Sequence, residues 1–195
     1  MDPLALNPGH YAGTYKLIGG RPSLDLVNTI SWPGSEGAHD WLDSVGNLER
    51  WLRASGLPVI PRKSAALGTV LELRAALTSV LRPLAHREHP TRKAIDDLNQ
   101  RIAQASSRRI IDPVTLTWTW APVAQTAEAV APIVLDAAEL IAAGDRDRLR
   151  HCPACDWLFE DQTRNGQRRW CDMADCGSRD KARRYYHRTR KEIGT

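Results

Sequence analysis

The chain has 195 residues with 42% hydrophobic and 26% charged content, which fits one ordinary domain plus a small appendage and excludes long disorder. Its formal charge of +4 is unevenly placed: from Arg179 onward there are seven Lys or Arg against two acids, while residues 1–150 are close to neutral, so a polyanion partner is indicated. The opening MDPLALNPGHYAG lacks a basic start and a continuous apolar core, and no run of about 20 apolar residues occurs, so no secretory signal or membrane span is expected and a cytoplasmic location is.

Residues 1–18 read as an irregular or extended lead-in, followed by a turn at Gly19-Gly20-Arg21-Pro22. Ser23 is placed to cap a short helix carrying Leu24, Val27 and Ile30. After a loop at Pro33, Gly34 and Gly37, Trp41, Val45, Leu48 and Leu52 predict a helix over about 40–55, stopped by Gly56. The next begins near Ser64 and carries Leu67, Val70, Leu71, Arg74, Leu77, Val80, Leu81 and Leu84, with Pro83 to kink or end it. Thr91 caps a further helix with Ile95, Leu98 and Ile102. The period then changes from helical to alternating. Residues 108–111 and 114–120 read as strands around the turn Asp112-Pro113, the second alternating Thr115, Thr117 and Thr119 with Leu116, Trp118 and Trp120. That alternation predicts one wet face and one packed face. An alanine-rich helix follows over about 122–143, kinked at Pro132 and ended by Gly144; the polar run from Asp145 to Arg150 links it to the C-terminal module.

All four cysteines lie in that module, as Cys152-x2-Cys155 and Cys171-x4-Cys176. Two close pairs across a short spacer suit a tetrahedral metal, because each pair turns two thiolates toward one point. Thiolate-only sites select zinc or iron–sulfur chemistry, and Zn2+ is expected here. Two disulfides, with three connectivities, are the alternative; a redox Cys-x2-Cys would leave the second pair unexplained. Trp157-Leu158-Phe159 reads as one strand, Asn165-Gly166 as a turn, and 167–171 as the returning strand. Ser178 stands as N-cap of a final helix over about 179–192. Knuckle, hairpin, knuckle and helix make a treble-clef-like finger. A unit this small needs such a staple, which contributes on the order of 10 kcal/mol or more.

On the final helix, Ala182, Tyr185 or Tyr186, Thr189 and Ile193 form a weak apolar stripe suited to pack on the zinc core. Arg179, Lys181, Arg183, Arg184, Arg188, Arg190 and Lys191 flank it, and Arg164, Arg168 and Arg169 add charge from the hairpin. Guanidinium groups pair bidentately with phosphates and guanine edges, so these ten residues are the candidate nucleic-acid contacts. A solvated basic helix without a partner is the plainer reading of the same charges.

Cys152-Pro-Ala-Cys155, Trp157-Leu-Phe159, Asp161, Arg164-Asn165, Arg168-Arg169-Trp170-Cys171, Met173, Cys176-Gly177-Ser178-Arg179, Lys181-Ala182-Arg183 and Tyr185 together resemble the CGNR zinc finger. The segment Gly19 to Thr29 resembles the start of the ABATE domain that precedes that finger. The resemblance spans nearly the whole chain and implies a bacterial, stress-induced transcription regulator that binds DNA. The Asn of the name-giving Cys-Gly-Asn-Arg is Ser178 here. If that position is a helix cap, Ser substitutes well; if it reads a base, specific contact is weakened.

The expected architecture is therefore mainly α with a small β-hairpin (α+β). A helical ABATE-like domain occupies residues 1–148 and a treble-clef-like finger 149–195. Chelation is expected to melt the finger and leave the helices. In the N-terminal domain, Arg21, Asp25, Asn28 and Thr29 form a polar cluster, either lining a small-molecule effector pocket or holding the short helix in place. His86 and His89 precede Pro90 at a helix end, and His151 is a neighbour of Cys152 rather than a ligand. The seven Trp are assigned to core or hairpin packing, Trp170 least firmly. No His-Glu-x-x-His, phosphate-binding glycine loop or Gly-x-Ser-x-Gly occurs, so no enzyme is expected. The expected function is a DNA-binding regulator with an N-terminal sensing or dimerisation domain, working as a homodimer. A protein-interaction or RNA-binding module is the alternative.

Overall fold

The computed structural model describes residues 2–57, 64–123, 126–142 and 146–193, without the side chains of 64, 65, 126, 127 and 187–193. Its helices are α1 (Pro22–Val27), α2 (Val45–Ala54), α3 (Ser64–Ala85), α4 (Arg92–Ser106), α5 (Thr126–Ala129), α6 (Ala131–Ala142) and α7 (Ser178–Ile193). The strands are β1 (Ile30–Ser31), β2 (His39–Asp40), β3 (Arg109–Ile111), β4 (Trp118–Trp120), β5 (Leu149–His151) and β6 (Leu158–Glu160). They pair as three separate antiparallel hairpins. The fold is mainly α with small β, as the sequence predicts.

Helix α3 is central, with α1, α2, α4 and α5 packed around it and α6 packed on α1 and α4. Its buried stripe of Val70, Leu73, Leu77, Val80 and Leu81 meets Leu24, Leu48, Trp51 and Leu98 in one core. The core does not stop at residue 148: Leu149, Trp157, Leu158 and Phe159 belong to the same buried cluster. The lead-in also enters it, through Leu6 and the fully buried Tyr15.

Several local starts differ from expectation, each for a tertiary reason. Ser23 is not the cap of α1. Pro22 opens that helix with its preset φ, and the Asp136 carboxylate on α6 accepts from Ser23 N at 3.0 Å and Ser23 Oγ at 2.5 Å. Helix α2 starts at Val45, where Ser44 accepts from Asn47 N; Asp40 instead joins β2 and forms a bidentate pair with Arg74, both contacts at 2.6 Å. Thr91 caps α4 as predicted, accepting from Ala94 N. Pro83 lies inside α3, which ends two residues later. The alanine-rich helix is broken at Val130 rather than kinked, and Pro132 falls in the first turn of α6, where no donor is needed. Gly144 and Asp145 lie outside the described residues.

The packed face expected of the second hairpin forms only at Trp120, which is half-buried against the core. Trp118 is 62% exposed and Leu116 76%, and Arg109 lies over the Trp118 and Trp120 rings instead. No helix among the described residues is long and apolar enough to cross a membrane.

Candidate metal centre and basic helix

The sulfurs of Cys152, Cys155, Cys171 and Cys176 all lie within 4.8 Å of one another, and all four residues are buried. Cys155–Cys171 and Cys171–Cys176 are each 3.5 Å apart. That is far beyond a disulfide bond of about 2.05 Å. It is near the edge of a tetrahedron with metal–sulfur bonds of about 2.3 Å. The thiols are unpaired. The donor set and its spacing fit Zn2+, and with four thiolate ligands no position stays open for catalysis.

The first knuckle is the turn of the β5–β6 hairpin. Cys152 N donates to Trp157 O and Asp156 N to Cys152 O, both at 2.8 Å. Thus β6 pairs with the residues before the first cysteine, not with 167–171 as predicted; those residues form no strand. They are held another way. The fully buried Asp161 accepts from Thr163 N, Thr163 Oγ1 and Arg168 N, and Arg150 Nε lies 3.7 Å away. Burial works to raise that carboxyl, but these bonds and the Arg150 charge hold it below the usual range.

The second knuckle sits on a wide helical turn, Met173–Gly177, that runs straight into α7. Asp172 is its cap, accepting from Ala174 N at 2.8 Å. Ser178 therefore lies inside continuous helix, and its hydroxyl donates to Met173 O at 3.1 Å. It is not the N-cap predicted for it.

Past the first turn of α7 the described side chains, 181–186, are all exposed. Among its described side chains from 178 to 186 only Asp180 is buried; Tyr185 and Tyr186 are 63% and 59% exposed. The described part of the apolar stripe expected to pack on the zinc core, Ala182, Tyr185 and Tyr186, is exposed instead. Asp180 instead pairs with Arg183 at 2.9 Å and Arg184 at 2.8 Å, leaving both side chains largely in solvent. Arg179 lies over the Trp32 ring, and Arg169 over Trp170. Arg164, Arg169, Arg179 and Lys181 are exposed. Arg168 differs. Its guanidinium donates to the carbonyls of Ile18, Trp170 and Cys171 and lies over Phe159, so it clamps the finger's own backbone. The side chains of Arg188, Arg190 and Lys191, like those of Thr189 and Ile193, lie outside the described residues.

The N-terminal polar cluster is committed to protein. Asn28 Nδ2 donates to Leu158 O and Leu158 N donates to Asn28 Oδ1, both at 2.7 Å, so one side chain pairs with β6 as a strand would. Arg21 bridges Asp136 and Glu160, each at 3.1 Å. Thr29 Oγ1 donates to Leu26 O and accepts from Arg74. Asp25 Oδ1 accepts from Gly19 N at 2.8 Å. Gly19 permits this close approach, because a Cβ there would lie 2.7 Å from Leu24 Cβ. These contacts support the holding role over the effector pocket. Further links went unseen in the sequence because their partners lie far apart along the chain. Lys16 bonds Asp172 at 2.8 Å and Asp175 at 2.7 Å, and the Asp156 carboxylate takes Arg82 and His86, whose ring stacks on His151.

Burial raises the Asp25 carboxyl to about 7, against the lowering effect of its Gly19 hydrogen bond. A carboxyl raised on folding favours the folded state below its unfolded value near 4, and that contribution is lost as pH rises through about 7. Asp25→Asn keeps the acceptor and removes the charge. Urea unfolding of the variant should show up to about 4 kcal/mol more stability than the parent at pH 8 and little difference at pH 4. Parallel stability–pH curves would refute it.

A closed four-thiolate centre that roots a basic helix defines a structural zinc finger, here docked on a helical domain. Residues 148–189 match the CGNR zinc finger. The chain belongs to the ABATE family, described as "putative stress-induced transcription regulator", whose match covers residues 20–144. No curated protein matches the chain.

Proposed function

We propose that the protein is a DNA-binding transcription regulator in which zinc fixes the root of α7 and α7 contacts DNA. One observation carries this reading: a basic helix runs on from the turn that bears Cys176 while its described cationic side chains, Arg179, Lys181, Arg183 and Arg184, are all exposed, steadied at their roots by the Trp32 ring and by Asp180. A polyanion is the partner that such a helix suits. The ABATE domain serves as the sensing or dimerising part. The exposed Ile111, Val114, Leu116 and Trp118 of the β3–β4 hairpin favour dimerisation, since exposed apolar patches commonly mark interfaces.

Duplex DNA binding, followed by fluorescence anisotropy, should weaken steeply with salt as phosphate contacts release counterions. Replacing Arg183 and Arg184 together with Ala should cost roughly 10–100-fold at moderate salt and lower the log–log salt slope by about two. Unchanged affinity and slope in that variant would remove α7 from the interface.

A further inference from the structure

We infer that the DNA path continues from the foot of α7 across the finger into a cationic groove completed by Arg87 of the ABATE domain. This rests on the DNA reading above and extends it to a surface outside the zinc finger.

Two adjoining cavities share Gln167, Arg168 and Arg169 as common wall. The first, about 320 Å³, lies between the end of α3 and the finger and is walled by Arg87 and Arg150. The second, about 760 Å³, passes Arg164 and reaches Met173, in the turn that leads into α7. Together they form an open trough rather than an enclosed site. Its lining brings five guanidinium groups together from three separate stretches of chain, and its one carboxylate, Asp172, is tied to Lys16 at 2.8 Å. The other acids nearby are also engaged: Asp156 by Arg82 and His86, Asp161 by Thr163 and the Arg168 amide, and Asp147 by Arg87 at 3.5 Å. Zinc with four thiolates would add a net −2 behind this wall, which helps to hold the cations there. The solvent-facing edges still present positive charge.

Arg87 is the telling residue. It stands at φ +66°, the left-handed region where glycine or asparagine is cheapest, just past the end of α3. Two of its five N–H donors are fixed on the carbonyls of Arg146 at 2.7 Å and Asp147 at 2.9 Å, which hold the planar head at the rim while its side chain stays 48% exposed. Arg169 is likewise steadied, over Trp170, and exposed. Rigid, forked donors along an open trough suit successive phosphodiester oxygens of a DNA backbone. A lone small anion would need a closed cradle instead.

The test uses the zinc-loaded full chain and one DNA duplex, with binding measured over a salt series. Gln167 is exposed on the shared wall and is neither a zinc ligand nor part of α7. Gln167→Glu should weaken binding roughly three- to tenfold and Gln167→Lys should tighten it by a similar factor, with the salt slope moving by about one in opposite directions. Arg87→Gln should weaken binding by the same order. If the parent binds and the α7 double variant is impaired while the Gln167 pair and Arg87→Gln match the parent, the groove is not used and the inference falls alone. If only Arg87→Gln is impaired and its melting temperature drops, Arg87 is a clamp for residues 146–147 and the inference also falls. If the parent binds no duplex at all, the DNA reading itself fails.

Discussion

Removing zinc with a chelator, or replacing Cys155 with Ser, is expected to lower the unfolding temperature of the whole chain rather than only to release the finger. The sequence alone suggests separable parts, but the core runs through both. Leu149, Trp157, Leu158 and Phe159 are buried in the same cluster as Leu24 and Trp51. Backbone bonds cross as well: Glu160 N donates to Gly19 O at 2.8 Å, and Trp157 Nε1 donates to Ile30 O at 2.9 Å. A structural zinc contributes about 10 kcal/mol or more to the state that binds it. Losing it withdraws β6 from α1, and each large side chain so exposed costs about 1.5–3 kcal/mol. Far-ultraviolet circular dichroism during a thermal ramp reads the helices directly. A helical transition unmoved by chelation would overturn the expectation.

Asn28→Ala should destabilise the protein by about 2–5 kcal/mol in urea unfolding. Asn28 is 1% exposed, and its two hydrogen bonds satisfy both the N–H and the C=O of Leu158. Truncation leaves two buried backbone groups unpaired, each worth about 1–3 kcal/mol. Asn28→Asp should be no better, because it loses the donor and sets an acceptor against Leu158 O. A loss below about 1 kcal/mol in both variants would show that water or a shift of β6 replaces the bridge.

Much of the finger was legible in the chain. Cysteine spacing located the metal centre, since the geometry of four thiolates about one ion depends on local turns. The cap at Thr91 and the apolar period of α3 were legible for the same reason: helix caps and helix faces are set within four residues. The second knuckle shows where that stops. Ser178 has the chemistry of a cap and stands before a helical run, yet the helix already begins at Met173 as a wide turn capped by Asp172. Lys16, 156 residues away, bonds that same Asp172 at 2.8 Å and orients it.

The short hairpins were misread for a related reason. A strand's partner is chosen in three dimensions, so Leu158–Glu160 pairs with Leu149–His151 and not with the segment after Asn165-Gly166. Likewise, Thr and Trp alternate on β4, but only the Trp120 end of that face meets the core among the described residues, and Trp118 remains in solvent.

By itself the sequence determined the fold class, the metal and its four ligands, the family and the basic character of the last helix. These follow from residue chemistry and short spacings. The tertiary structure decided how the parts are joined. It tied Asn28, Arg21 and Thr29 to β6, α6 and α3, turned Arg168 inward, left the described side chains of α7 past Asp180 in solvent, and brought Arg87 to the finger's edge. Each of these depends on the direction of a side chain toward a partner far along the chain, and such pairings are set only when the whole core closes.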